Sequence, residues 1–156
     1  MIRSLFIPGV PVAKGRPKFR AAGAYVTTYT PKKTKAAESA ISAAWRKAYG
    51  HLEPMTGALE LSVVAYMPIP KSFTQKRRKQ INASGEWHLV KPDADNILKL
   101  VSDALNGVAY ADDSIVCVSA PIKVYAATTP GVYIRLRELD ETPNDYLAAR
   151  GLPIQP

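Results

Sequence analysis

Along residues 58–67, Leu59, Leu61, Val63, Ala65 and Met67 alternate with Glu60, Ser62 and their neighbours. A period of two predicts a strand with one face in the core. Residues 2–7 read as a first strand, ended by Pro8, Gly9 and Pro11, and residues 12–24 as a loop rich in Lys, Arg, Gly and Ala. Thr30-Pro31 predicts a helix start, because Thr caps and Pro suits the first helical position. Ala37, Ala40, Ile41, Ala44, Trp45 and Ala48 follow at helical spacing up to Gly50. Ser72 with Gln75 suggests a capping box for a short helix through Lys76–Ile81, broken by Asn82-Ala83-Ser84-Gly85. Residues 87–90 read as extended, and Pro92 disfavours helix at Lys91.

A third helix is predicted from Asp93 or Asp95 to Leu105, stopped by Asn106-Gly107. On a wheel of ~100° per residue, Ile97, Leu98, Leu100, Val101, Ala104 and Leu105 share one arc, and Asp95, Lys99, Ser102, Asp103 and Asn106 the other. Strands near 113–125 and 132–139, joined through Thr128-Thr129-Pro130-Gly131, read as a closing antiparallel hairpin. The tail from Thr142 shows no strong pattern. The expectation is α/β (α+β) content in a single domain, a small mixed sheet with helices packed mainly on one face.

Composition narrows the class. A chain of 156 residues can bury roughly two-thirds of its unfolded surface and needs no disulfide or zinc staple. Its single cysteine, Cys117, excludes both an intrachain disulfide and a multi-cysteine zinc site, and is expected to be buried in its strand. No apolar run approaches the ~18–20 residues of a membrane span, and the N-terminus lacks a signal-peptide core, so a cytoplasmic protein is expected.

Charge is unevenly placed within a net +8. No acid precedes Glu38, whereas Arg3, Lys14, Arg16, Lys18, Arg20, Lys32, Lys33 and Lys35 do. From residue 93 onward nine acids face five bases. A basic front suggests a polyanion partner, and an acidic back suggests work for carboxylates. Lys14, Arg16, Lys18 and Arg20 are candidate phosphate contacts, with Lys76, Arg77 and Lys91 from the later basic stretch.

Asp95, Lys99 and Asp103 at i, i+4 spacing would by themselves be an ordinary surface ladder. Asp93 and Asp95, two apart at a helix entry, can converge beside the helix's positive end. Asp112-Asp113 then arrive where the chain returns. Crowded aspartates repel unless a cation lies among them, and all-oxygen ligands suit Mg2+ or Mn2+.

The run Lys91-Pro92-Asp93-Ala94-Asp95-Asn96-Ile97-Leu98-Lys99, then Asp103-Ala104-Leu105-Asn106-Gly107 and Tyr110-Ala111-Asp112-Asp113-Ser114, resembles the RusA-type Holliday-junction resolvases. Gly9 to Phe19, Thr30-Pro31 and Pro70-Lys71-Ser72 with Lys76–Lys79 agree, and the resemblance covers about residues 2–137. It implies a homodimeric α/β nuclease that cuts opposed strands of four-way junctions with Mg2+, in recombination or repair. Asp93, Asp95 and Asp113 would be the catalytic metal ligands, with Lys99 beside them; Asp112 is the less certain of its pair. Two rivals stand. A nuclease of flaps or forks would be separated by its substrate range, and a catalytically silent DNA-binding protein by the absence of metal-dependent nicking.

Overall fold

A computed structural model describes residues 1–16, 18–22 and 25–154, of which 18–22 and 25–29 by their backbone alone. The elements in chain order are β1 (Ile2–Pro8), β2 (Lys18–Ala22), β3 (Tyr25–Tyr29), α1 (Lys32–Tyr49), β4 (Leu59–Met67), α2 (Gln75–Ser84), α3 (Ala94–Leu105), a 3-10 turn (Asp113–Ile115), β5 (Val116–Tyr125), β6 (Gly131–Glu138) and α4 (Pro143–Ala148). This is the expected α+β content. Strand β2 lies inside the stretch read as loop and pairs with β3, just beyond it, in a separate antiparallel ribbon.

The main sheet runs β1-β6-β4-β5. The expected hairpin of the last two strands is overturned: β4 lies between them, parallel to β5 and antiparallel to β6. The link at 126–130 arches over the end of β4, where the Ala126 N–H donates to the Met67 carbonyl at 2.8 Å. Such a link spans two strand spacings of roughly 5 Å each, so its turn chemistry cannot distinguish neighbours from strands one apart. The reason for the split lies in β4, which has its odd residues fully buried and both edges paired.

The alternation read from residues 58–67 holds: Leu59, Leu61, Val63, Ala65 and Met67 face the core. Leu136 and Ile134 of β6 join them, and α3 covers β4 and β5 with Ile97, Leu100, Val101, Ala104 and Leu105. Each large apolar side chain buried in this layer contributes roughly 1.5–3 kcal/mol relative to exposure. Helix α1 packs along α3 through Ile41 and Trp45. At Gly131 an added Cβ would come within 2.7 Å of the Ile7 carbonyl oxygen as well as striking the Phe6 ring, so β1 can lie this close only against glycine.

Several boundaries differ from the sequence reading. Pro31, not Thr30, holds the N-cap position of α1 and makes no side-chain cap bond. Thr74, rather than Ser72, caps α2 by accepting from the Arg77 N–H at 3.3 Å, and the helix continues to Ser84 before Gly85 turns at φ 74°. The tail is helical after all. Thr142 caps α4, Pro143 occupies its first turn, and the Thr142 hydroxyl donates to Asp145 at 2.7 Å. Arg137 ties this helix to the polar face of β4, reaching Glu60 at 2.7 Å and Glu141 at 3.0 Å. Cys117 is exposed, not buried, because the register of β4 and β5 shifts there and β5 is an edge strand. Among the described residues, no helix is long and apolar enough to cross a membrane.

Candidate active site

Helix α3 starts at Ala94 with Asp93 at its N-cap, so Asp93 lies just outside the helix and Asp95 in its first turn. Its apolar face is buried, which leaves Asp95 and Lys99 exposed on the other side. The helix ends at Leu105, and Gly107, with φ 67°, takes a conformation that favours glycine and reverses the chain. The returning segment is held firmly. The Met55 N–H donates to Ala109 O at 2.9 Å, the Ala111 N–H to Met55 O at 3.3 Å, and the buried Tyr110 hydroxyl to Ser102 O at 2.8 Å. Asp112 and Asp113 therefore emerge beside the polar face of α3.

The two aspartates then part company. Asp112 turns back on its own chain and accepts from the Ser114 N–H at 2.9 Å, and the bonds from Ser114 hold its carboxyl below the usual range. Asp113 instead lines a cleft of about 260 Å3 with Asp95, Lys99, Ser102, Asp103 and Ser119 around its rim. Asp93 lines a neighbouring, wider cleft of about 660 Å3 with Arg16, Lys91 and Asn96. The chain thus brings Asp95, Asp113 and Lys99 to one cleft, and Asp93 to the next along the start of α3.

Lys14 has a different setting from the one its neighbours in sequence suggest. Its ammonium pairs with Asp103 and lies 3.1 Å from Glu38, while its backbone N–H donates to Asn96 O at 2.9 Å. No acid is near it along the chain, but α1 and α3 supply two in space. Lys14 is an internal tether of the basic loop, with its charge already matched. Gly15 follows, donating to the Thr34 hydroxyl at 3.1 Å, and these bonds leave Arg16 exposed over the second cleft. Arg3, from the same acid-free stretch, is buried with its guanidinium on Glu53 O at 2.9 Å.

Among the other expected phosphate contacts, Lys76 and Lys91 are exposed. Arg77 is engaged: it forms a two-pronged bond with Glu86 and lies 3.6 Å from the centre of the Phe73 ring. The side chains of Lys18 and Arg20 lie outside the described residues. Sequence reasoning passed over Lys123 of β5, whose ammonium donates to Val90 O at 2.7 Å and Pro92 O at 2.6 Å. One lysine on a strand carries no periodic signal that would single it out.

Among the described residues no group of three or more His, Cys, Asp or Glu is gathered tightly enough to cage a metal ion. A hard cation such as Mg2+ needs no such cage. It commonly keeps several waters and binds through one or two carboxylates plus the substrate's phosphate. Asp95 and Asp113, two carboxylates on one open cleft, fit that mode of binding, whereas the Asp103 carboxylate is already matched by Lys14.

This α+β chain thus carries acids and a lysine on one cleft, flanked at the next by an arginine and a second lysine. Residues 8–137 match the family described as endodeoxyribonuclease RusA, and the chain belongs to that family. It is also 33% identical over 135 residues to the uncharacterized protein YqaN of Bacillus subtilis (strain 168), an alignment covering 84% of this chain and 92% of that protein.

Proposed function

We propose that this chain is a divalent-cation-dependent endonuclease that binds four-way DNA junctions and resolves them by paired nicks, as a homodimer. The observation that carries this reading is the placement of Asp95, Lys99 and Asp113 on one cleft, next to the cleft lined by Asp93, Arg16 and Lys91. Membership of the endodeoxyribonuclease RusA family supports DNA, and the junction in particular, as the substrate. Two opposed cuts call for two active sites related by symmetry, which a dimer supplies.

Hydrolysis of the phosphodiester forms a bond from a water oxygen to phosphorus and breaks the bond to the leaving 3′ oxygen. Arg16 and Lys91, both exposed, hold the phosphate backbone on the approach to the cleft. Lys99 places a compact positive charge where charge develops on the phosphate oxygens. Asp95 and Asp113 would hold Mg2+, and Asp93, on the adjoining cleft, would add its charge to theirs beside the ion. Once bound, the ion lowers the pKa of its water and neutralises charge in the transition state. Mn2+, with the same preference for oxygen ligands, is expected to substitute.

The test is cleavage of a synthetic four-way junction with and without Mg2+, compared with forks, flaps and plain duplex. Symmetric nicks in opposed strands, dependent on the ion and favouring the junction, bear the proposal out. Equal cutting of forks and flaps replaces it with a broader structure-specific nuclease, and binding without nicking in Mg2+ or Mn2+ leaves a silent DNA-binding protein. Sedimentation equilibrium tests the dimer.

A further inference from the structure

Resting on the nuclease reading, we infer that Lys123 is a positioning residue for Asp93 and Lys91, acting through the backbone that carries them. The chain between α2 and α3 has little structure of its own, yet it must deliver Asp93 to the N-cap of α3. Strand β5 supplies the missing support in two ways. Its backbone binds the first part of the segment: the Tyr125 N–H donates to Glu86 O at 3.0 Å and the His88 N–H to Lys123 O at 3.2 Å. Its Lys123 side chain then takes over where backbone pairing stops, donating to the carbonyls of Val90 and Pro92 at 2.7 and 2.6 Å.

These are charge-assisted bonds, shorter and stronger than ordinary amide pairs. An ammonium has three N–H donors, and two of them are taken up here by carbonyls on either side of Lys91. Pro92 O belongs to the peptide unit that leads into Asp93, so fixing it fixes the direction in which the Asp93 backbone enters the helix. Lys91 and Asp93 are themselves exposed. Among the described residues no side chain buries them, and their backbone is placed by the carbonyls that Lys123 grips. Lys123 thus uses its charge inside the protein, in contrast to Arg16 and Lys91 at the same cleft.

The test compares Lys123→Met, which keeps the length but removes the donors, with Lys123→Arg, which restores them. For Lys123→Met, junction cleavage should lose kcat on the order of 10–100-fold, the scale set by small misplacements of catalytic groups. Junction affinity should fall no further than it does in Lys91→Ala, and Lys123→Arg should recover most of kcat. Hydrogen exchange on the DNA-free protein gives a readout independent of activity: amides of residues 89–95 should exchange faster in Lys123→Met, while those of 100–105 in α3 keep their protection. In a Lys91→Ala background, where the Lys91 contact is already gone, a salt slope lowered by about a further unit on Lys123→Met would overturn the inference, because it makes Lys123 itself a phosphate contact. Unchanged exchange over 89–95 would overturn it as well. A uniform rise in exchange across the chain would do so too, since the lysine would then support the whole fold. If the parent itself cuts no junction, the nuclease reading fails while the exchange comparison still judges the brace.

Discussion

The Tyr110 hydroxyl donates to the Ser102 carbonyl oxygen at 2.8 Å, joining the chain beyond α3 to the helix it has just left. With the backbone pairing of Met55 to Ala109 and Ala111, that bond brings Asp113 to the cleft of Asp95 and Lys99. Burial, together with the nearby charges of Asp113 and Asp112, pushes the Tyr110 hydroxyl above its ordinary pKa despite its contact with the Ser102 hydroxyl at 3.1 Å. Tyr110→Phe removes the bond but keeps the ring's packing. The Ser102 carbonyl still accepts from the Asn106 N–H at 3.0 Å, so the loss should be about 0.5–1.5 kcal/mol in urea unfolding. An unchanged unfolding midpoint would show that packing alone secures this return.

Asp95→Asn and Asp113→Asn keep side-chain size but remove the charge a hard cation needs. Junction binding should survive and cleavage should fall by several orders of magnitude, measured in single-turnover assays at saturating protein. Asp93→Asn should act in the same direction. Asp103→Asn is the contrast, because that carboxylate is matched by Lys14 rather than left for an ion. Its cleavage should fall far less. Near-parent cutting by Asp95→Asn would remove that residue from the chemistry.

The contrast between Lys14 and Arg16 separates tethering from phosphate binding. Arg16→Ala should lower the slope of log affinity against log salt by about one unit, as expected for one lost phosphate contact. Lys14→Ala should leave the slope nearly unchanged, because its ammonium is already paired with Asp103 and Glu38. It should instead lower thermal stability and loosen the loop, seen as faster proteolysis near residues 10–16. A reduced slope for Lys14→Ala would mean that the ion pair opens for DNA.

Acid should detach α4 before it unfolds the core. Burial raises the Glu60 carboxyl, but the bonds and charge of Arg137, with Ser62 and Arg150, outweigh it and hold the pKa below the usual value. Bonds from Arg137 lower Glu141 as well. A depressed carboxylate contributes stability above its unfolded pKa of about 4.3, and that contribution is lost as pH falls through the folded value. Protection of the 144–149 amides, with exchange corrected for its intrinsic pH dependence and followed from pH 6 downward, should fall below about pH 4. Glu60→Gln should reproduce the effect at neutral pH, at a cost of roughly 1–3 kcal/mol for a charged hydrogen bond. If those amides exchange equally in parent and variant, the Glu60–Arg137 bond does not hold the helix.

Local patterns in the sequence were enough for β4 and α3, because alternation and helical spacing translate directly into one buried face. The acid pattern from Lys91 to Ser114 carried the family. The tail's helix was also written locally, in Thr142-Pro143-Asn144-Asp145, although it has too few apolar residues to show a stripe. The strand order was not legible, since a short link that closes a hairpin also bridges an intervening strand. Nor was the fate of individual charges. Lys14 stands in an acid-free stretch yet meets Asp103 and Glu38, and Arg77 meets Glu86. Asp112 and Asp113 are adjacent in sequence, but one caps its own turn and the other faces the cleft. Sequence by itself determined which residue types this protein has for its chemistry and which faces it buries. Only the tertiary structure decided which charges are left for a partner, because ion pairing depends on distance through space and not along the chain.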